Sequence, residues 1–346
     1  MVQELLPELQ VKHRKLNPVF VIGHGRSGTS ILIKLIRKYL KINFGTESQF
    51  ILRYYDALEQ YGDLNRRENL INLLEDIVQE RYFKRIKKRF NFDLDKEKVL
   101  SSLKFPSYSG LLQAIFLQFA QYHGMERWGD KTPEYIFGLD KILRLFPDAQ
   151  FIHIVRDGRD VALSEFKTHF GPKNIHCAAE EWKKRINLAQ NFFATLKDDQ
   201  KFELRYEDLL QNPVLIFQQL IDFLGIDDQD KSLIRFIAKN IVSDLKRGNF
   251  NKWHTALSKS QIYRFERVAH RELTAYHYPL IFSHFTKPSL IETYYWRLHS
   301  KFKRLLVPGT IEDNLYRIRL RVKSRLLPLR KKLQFVAGAH RKVSFN

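Results

Sequence analysis

A glycine-rich turn placed directly between an apolar strand and an amphipathic helix is the feature that most constrains this chain. The segment NPVFVI predicts a short buried strand over residues 17–22, and residues 29–40 repeat apolar side chains at helical spacing. The six residues GHGRSG separate these two segments. A strand, a glycine turn and a helix in immediate succession are typical of the opening unit of a parallel α/β sheet.

The same order of elements recurs further along the chain. FIHIV at residues 151–155 predicts a second buried strand that runs through RDGRD into a helical segment, and residues 201–205 predict another strand. INFG at residues 42–45 predicts a short strand that returns beside the first one, and helices are predicted at residues 109–123 and 214–224. Because helices alternate with strands, we expect an α/β fold, a three-layer sandwich with a central, mostly parallel sheet.

The side chains of the turn distinguish it from two familiar glycine motifs. Gly23, Gly25 and Gly28 satisfy the G-x-G-x-x-G pattern of dinucleotide-binding folds, and two of them also match the start of a Walker A loop. However, Thr29 stands where a Walker A loop has lysine, and Arg26 lies inside a turn that dinucleotide folds keep free of large side chains. The turn offers a guanidinium, hydroxyls and a helix N-terminus, which favours binding of a phosphate that bears a sulfuryl group.

A second anion site is predicted at the next strand–turn–helix unit. Arg156 follows the strand over residues 151–155, and Ser164 lies on the helix after it. These two side chains can hold one phosphate between them. Two such sites at the carboxyl edge of one sheet suit a nucleoside that carries phosphates at both ends.

Taken together, five segments resemble the P-loop sulfotransferases. GHGRSGTS is similar to the 5′-phosphosulfate loop of that family, and FIHIVRDGRDVALSEF is similar to its 3′-phosphate motif. WGDKTPEY, LRYEDLLQNP and RGNFNKWHTALSKSQIYRF resemble three further family segments, and all five occur in family order between about residues 18 and 280. Within the family, FGTESQFI is most similar to the tyrosylprotein and carbohydrate-type branch, in which a glutamate acts as the base.

The resemblance implies a P-loop-like sulfotransferase fold and transfer of the sulfuryl group of 3′-phosphoadenosine 5′-phosphosulfate (PAPS) to an acceptor hydroxyl, with release of 3′-phosphoadenosine 5′-phosphate (PAP). It implies that Glu47 is the catalytic base and that Lys131 and Arg26 stabilise charge on the transferred group. The implied donor-binding residues are Gly25, Arg26, Ser27, Gly28, Thr29, Ser30, Arg156, Ser164, Tyr206, Arg247 and Lys252. No metal is expected, because the sequence lacks metal-ligand spacing of the H-E-x-x-H kind and the two cations can supply positive charge.

Four residues in or near these motifs could have a structural role instead of a functional one. Glu47 could instead cap a helix that begins near Gln49, and Lys131 could be a surface cation. His153 alternates within an apolar strand, which predicts a core histidine rather than a base. His24 lies in the turn, where local hydrogen bonding is the plainer role.

Positive charge is concentrated at the end of the chain. The formal net charge is +21, and residues 297–346 contain fourteen Lys or Arg against two acidic residues. We therefore predict a sulfotransferase domain over residues 1–290 and a basic, helical extension over residues 291–346. The extension either lies on an anionic membrane surface or packs its apolar face on the domain, since both give this pattern.

Composition bounds the remaining expectations. Cys177 is the only cysteine, so an intrachain disulfide is excluded and a reducing compartment is expected. The first residues lack the order of a signal peptide, which predicts a cytoplasmic protein that contacts the inner membrane surface at most peripherally. We expect a glycan, a glycolipid or a small metabolite as the hydroxyl-bearing acceptor, and no nucleic acid.

Two other functional classes remain open at this stage. A nucleotide-binding kinase-like protein or dehydrogenase would explain the glycine turn but not the absent Walker lysine or the second anion site. A non-enzymatic polyanion-binding protein would explain the charge but not the turn.

Overall fold

The computed structural model describes residues 11–168, 171–246 and 248–307. Its strands are β1 (Lys12–His13), β2 (Val19–Ile22), β3 (Ile42–Phe44), β4 (Arg127–Asp130), β5 (Gln150–Val155), β6 (Lys201–Arg205) and β7 (Ile226–Asp227). Its α-helices are α1 (Thr29–Leu40), α2 (Ile51–Tyr55), α3 (Arg67–Val78), α4 (Arg81–Phe90), α5 (Lys96–Ser101), α6 (Tyr108–Tyr122), α7 (Leu139–Leu145), α8 (Gly158–Phe166), α9 (Ile175–Phe193), α10 (Tyr206–Gln211), α11 (Pro213–Phe223), α12 (Ser232–Asp244), α13 (Trp253–Ala256), α14 (Lys259–Ala275) and α15 (Leu290–Leu305). Short 3₁₀ helices cover Leu58–Tyr61, Pro133–Phe137 and Asp198–Gln200.

Five strands form the central sheet in the order β3-β4-β2-β5-β6, and each neighbouring pair is parallel. β1 and β7 form a separate antiparallel pair. Because parallel strands end at the same edge, the residues that follow β2, β3, β4 and β5 meet at one side of the sheet. That edge contains the turn after β2 and most of the predicted site.

Helices cover both faces of the sheet, which confirms the predicted three-layer α/β architecture. Phe20 and Ile22 point into a core shared with α3, α6 and α7. Val19 and Val21 point into the opposite core, which α1, α11 and α12 complete. This alternation along β2 is the two-residue period of a strand that is buried on both faces.

The predicted position of the INFG strand is wrong, because β4 lies between β3 and β2. β4 has the sequence RWGD, which lacks an apolar run, yet all four of its residues are buried. Burial of Arg127 is possible because its guanidinium donates to the carbonyl oxygens of Asn17 at 2.7 Å and Leu224 at 2.8 Å. The insertion places Lys131 at the carboxyl end of a strand.

The start of the predicted basic extension forms helix α15, which packs against α9. Residues 308–346 lie outside the described residues, so the boundary after residue 290 stays a prediction. Among the described helices, none combines the length and the apolar character needed to cross a bilayer.

Candidate functional site

The glycine turn between β2 and α1 contains residues with left-handed backbone angles. Gly28 has a φ of 92°, and a Cβ atom added there would lie 2.3 Å from Cδ2 of the Tyr206 ring. Arg26 also has a left-handed φ, 71°, which is uncommon for a residue with a side chain. The turn is closed by the amide of Ser27, which donates to the carbonyl of His24 at 3.1 Å. The conformation therefore requires glycine at position 28.

Polar groups of the turn are available to an anionic ligand. The hydroxyl of Ser27 is buried and has no hydrogen-bond partner among the described residues. Helix α1 begins at Thr29 without a side-chain cap, so its first amides are free to bind an anion. Arg26 and Ser30 are exposed and line a cleft together with Gly25 and Thr29. These residues fit a phosphate-containing group, as the sequence predicts.

The second predicted anion site adjoins the turn. Nε of Arg26 donates to the hydroxyl of Ser164 at 2.9 Å, and the guanidinium of Arg156 donates to the Arg26 carbonyl at 3.2 Å. Arg156 is 7% exposed, and its nearest carboxylate is that of Asp160 at 3.5 Å. Its Nε is buried without a hydrogen-bond partner among the described residues. The structure thus brings Arg26, Arg156 and Ser164 into one cluster.

Asn249 connects three of the residues that are predicted to bind the sulfuryl donor, and the sequence analysis did not identify it. Its amide donates to the Tyr206 hydroxyl at 2.9 Å, its side-chain oxygen accepts from Lys252 at 2.7 Å, and its carbonyl accepts from Arg156 at 2.9 Å. The Tyr206 ring also lies under the Arg156 guanidinium, at 4.7 Å. Asn249 lies within the RGNFNKW segment that carried the family resemblance, but asparagine is common in loops and gave no separate signal. Arg247, predicted in the same segment, lies outside the described residues.

Glu47 and Lys131 form an ion pair at the carboxyl ends of the adjacent strands β3 and β4. The Lys131 side chain is 10% exposed and that of Glu47 is 31% exposed. The Glu47 carboxylate also accepts from Gln49 at 3.3 Å, and its backbone carbonyl accepts from Arg85 of α4 at 2.6 Å. Lys131 is therefore not a free surface cation. Sequence analysis found both residues but not the contact with Arg85.

Glu47 does not cap helix α2, which rules out the structural alternative considered for it. The helix begins at Ile51, and the residue before it, Phe50, makes no side-chain cap hydrogen bond. The adjacent Ser48 instead donates its amide to the Thr132 hydroxyl at 3.1 Å, and its own hydroxyl lies 2.6 Å from that of Tyr135. This buried network connects the loops after β3 and β4.

Asp130 lies beneath the ion pair and is 3% exposed. Burial raises the pKa of its carboxyl to about 6, although hydrogen bonds from Thr132 and Ser48 oppose the shift. Asp130 therefore connects the loops after β3 and β4 directly beside Lys131.

The surroundings of His153 and His24 fit structural roles rather than the role of a catalytic base. His153 is 1% exposed and hydrogen bonds to Glu203 at 2.6 Å, as expected of a core histidine. His24 donates from Nδ1 to the Gly25 carbonyl at 2.8 Å, as predicted for a turn residue. Burial, with a smaller effect of Arg185, lowers the pKa of His24 to about 4, so this ring is a weak base.

A single open cleft of about 2020 Å³ joins the turn to the ion pair. Arg26, Glu47 and Lys131 all line it, together with residues of α9, α14 and α15. Among the described residues that line it, thirteen are Lys or Arg and five are Glu, which makes this part of the cleft strongly basic. Among the residues described, no group of three or more His, Cys, Asp or Glu side chains is placed to hold a metal ion.

This chain is similar in sequence to one protein family and to several known proteins. Residues 18–230 match the sequence profile of a group described as the sulfotransferase family. An uncharacterized protein of Aquifex aeolicus is 23% identical over 276 residues, which cover 74% of this chain and 31% of that protein. An omega-hydroxy-beta-dihydromenaquinone-9 sulfotransferase of Mycobacterium bovis is 30% identical over 110 residues, 28% of each chain. This chain spans about a third of the length of these curated relatives.

A sulfotransferase domain from the curacin biosynthetic pathway aligns with 77% of this chain and 99% of that domain, with a TM-score of 0.49 and 19% identity.

Proposed function

Because the chain belongs to the sulfotransferase family, we propose that it transfers the sulfuryl group of PAPS to an acceptor hydroxyl, with Glu47 as the general base. The observation that carries this proposal is that the Glu47–Lys131 ion pair and Arg26 line the same cleft. A base, and cations able to neutralise a phosphosulfate, thus share one space.

The donor would be held by the turn and the cluster beside it. The free amides of α1, the Ser27 hydroxyl and the Arg26 guanidinium suit the 5′-phosphosulfate, and Arg156 with Ser164 suits the 3′-phosphate. Tyr206, Asn249 and Lys252 would support the second group through Arg156. When bound, PAPS would supply the sulfuryl group and a phosphate leaving group.

The side chains at the cleft have defined roles in the proposed transfer step. The Glu47 carboxylate accepts the proton of the acceptor hydroxyl while the acceptor oxygen forms its bond to sulfur. Breaking the bond between sulfur and the bridging oxygen leaves negative charge on the departing phosphate, which Arg26 and Lys131 neutralise. Lys131 and Gln49 hold the Glu47 carboxylate in position until the acceptor arrives. Preorganised charges of this kind act only as charge develops, and so lower the barrier rather than merely the substrate dissociation constant.

The assignment to the glutamate-using branch rests on this arrangement. Neither of the two histidines in the predicted donor motifs competes, because His24 is a weak base and His153 is enclosed in the core. The acceptor class, a glycan, a glycolipid or a small metabolite, stays a proposal. The sulfotransferase of Mycobacterium bovis acts, by its name, on a hydroxylated menaquinone, so an apolar acceptor belongs in the same screen.

A ligand-dependent thermal shift tests donor choice before the acceptor is known. A ligand present at a hundredfold excess over its Kd stabilises the fold by about 2.7 kcal/mol, which corresponds to roughly 4 °C in a chain of this size. We expect such a rise in Tm with PAP and little with ATP or NAD. Equal shifts with all three would contradict the proposal. A positive result leads to transfer assays with labelled PAPS against each acceptor class.

A further inference from the structure

The outward side of helix α15 exposes a continuous set of large apolar residues. Their exposed fractions run from 47% at Leu298 to 89% at Leu290. At 100° per residue, they occupy an arc of about 160° around the helix axis. This surface, here called the α15 apolar face, consists of Leu290, Ile291, Tyr294, Tyr295, Leu298, Phe302, Leu305 and Leu306.

The opposite side of α15 is fixed to the domain. The side chain of Asn174 donates to the Trp296 carbonyl at 2.7 Å, and Arg267 forms an ion pair with Glu292. Ser300 is 7% exposed. Since these contacts set the rotation of the helix, the α15 apolar face cannot turn inward to join the core. The described start of the extension therefore does not pack this apolar surface on the domain, and residues 315–333, whose pattern suggested both alternatives, lie outside the described residues.

Cations border the α15 apolar face. On the helix, Lys301 and Arg304 follow one edge of the arc, and Lys303 lies beyond the other. Arg297 lies at the same edge as Lys301, but it is paired with Glu180 at 2.7 Å. The only acidic residue of α15, Glu292, lies on the inner side and is paired. An exposed apolar face with a basic rim is the pattern of helices that lie in the plane of an anionic lipid interface.

We propose that the α15 apolar face docks this protein onto an anionic phospholipid bilayer, with α15 parallel to the membrane plane. A partner protein would need an acidic rim matched to the cations as well as an apolar centre, and a second copy would bring the two basic rims together. An anionic bilayer satisfies both parts of the surface, because the acyl chains bury the apolar face and the headgroups attract the basic rim. Leu290, Tyr294 and Leu298 also line the cleft, so docking would bring the cleft opening beside the headgroups.

Vesicle sedimentation with the full chain tests the docking directly. We expect binding to vesicles of phosphatidylcholine with about a third phosphatidylglycerol at low salt, and at least tenfold weaker partitioning to phosphatidylcholine alone. Raising the salt to about 0.5 M should weaken the binding, because the Debye length falls to a few ångströms. The measurement does not depend on the sulfuryl-transfer reaction, so its failure and the failure of the proposed function are distinguishable.

A double variant separates the α15 apolar face from general basicity. Ile291→Ser with Phe302→Ser removes two exposed side chains that do not line the cleft. Loss of two apolar side chains from a lipid interface should lower the partition coefficient at least tenfold. The matched control, Phe105→Ser with Leu215→Ser, changes residues that are 76% and 57% exposed elsewhere, and it should bind as wild type does. A Tm and a far-ultraviolet circular dichroism spectrum close to those of wild type verify that both double variants remain folded.

Three outcomes would overturn the proposal. The first is absence of wild-type binding to the anionic vesicles at low salt. The second is equal binding by wild type and the Ile291→Ser/Phe302→Ser variant, which would assign the affinity to charge elsewhere on the chain. The third is a concentration-dependent dimer that this variant abolishes without any effect of vesicles, which would make the face an interface between copies.

Discussion

The ammonium group of Lys131 pairs with the carboxylate of Glu47, although 84 residues separate them in the chain. The contact exists because β3 and β4 are adjacent and parallel, so that their carboxyl ends coincide. It positions a carboxylate and a cation in the cleft that also contains Arg26. The proposed chemistry depends on this arrangement, and variants of each residue test separate parts of it.

Removal of the Glu47 carboxylate tests the base. Glu47→Gln preserves size and hydrogen bonding but removes most basicity, so turnover should fall about a hundredfold or more while the Kd for PAP stays near the wild-type value. Steady-state transfer and nucleotide titration measure the two effects. Glu134→Gln is the matched control, since Glu134 lines the same cleft and is exposed. Retention of more than about a tenth of wild-type turnover would mean that another group takes the proton.

Arg26 tests charge neutralisation at the turn. Arg26→Ala should lower kcat about a hundredfold, the scale expected for loss of one preorganised transition-state donor. Because Arg26 also donates to Ser164, Ser164→Ala serves as a comparison that removes this contact and leaves the guanidinium. A folded Arg26→Ala protein with near-normal kcat would reject the assigned role.

Arg156 tests the 3′-phosphate site. Arg156→Ala should raise the Kd for PAP more than the Kd for adenosine 5′-phosphate, which lacks that phosphate, because the contact acts in ground and transition state alike. The ratio of the two constants isolates the contact from general damage. Since Arg156 is buried, Arg156→Lys provides a milder variant that keeps the charge but loses the planar fork. If wild type binds both nucleotides equally, the second anion site is misassigned.

Two glycines of the turn should respond differently to alanine. Gly28→Ala places a methyl group against the Tyr206 ring in a left-handed backbone, and it should cost about 1–3 kcal/mol of stability and weaken PAP binding. Gly25→Ala meets no atom within 4 Å, so it should alter Tm little. If the donor approaches over Gly25, this variant should still weaken PAP binding. Thermal melts with and without PAP measure both effects, and similar Tm losses for the two variants would contradict the packing argument.

Glu165 should make stability depend on pH. Burial raises its pKa to about 8, so the folded state retains a proton that the unfolded state releases near the usual pKa of 4.5. Stability from this group is therefore fully present below about pH 4.5 and is lost as pH rises through 8, by at most about 1.4 kcal/mol per unit. Glu165→Gln should remove this decline in denaturant unfolding between pH 5 and 8. Equal slopes for wild type and Glu165→Gln would show that Glu165 ionises normally.

His24 affects the acidic side of the same profile. Its folded pKa is lowered to about 4, so its contribution is present above about pH 6.5 and is lost as pH falls toward 4. Nδ1 of His24 lies 3.7 Å from the Glu165 carboxylate, so the two titrations are coupled. They are separated by pH, because His24 contributes no slope above about pH 6.5, whereas the decline due to Glu165 continues to pH 8.

The amino-acid sequence by itself determined the local elements of the site. The glycine spacing, the apolar run before it and the helical period after it predicted β2, the turn and α1, and the bounds of α1 and β6 agree with the predicted ones. These features could be read because strand period, helix period and the left-handed backbone at Gly28 depend on residues close in the chain. Similarity of five segments to one family then indicated Arg26, Lys131 and Arg156 by position, and similarity of FGTESQFI to one branch of that family indicated Glu47.

The tertiary structure alone decided how these elements meet. The insertion of β4 between β3 and β2 depends on buried hydrogen bonds of Arg127 to residues about a hundred positions away, and no local pattern encodes them. Two other features also depend on contacts between distant residues. The carbonyl of Asn249 accepts a hydrogen bond from Arg156, and contacts with Asn174 and Arg267 determine the rotation of α15. Long-range pairing is selected by which buried polar groups find partners in the folded chain, and that information is distributed over distant segments rather than contained in any one of them.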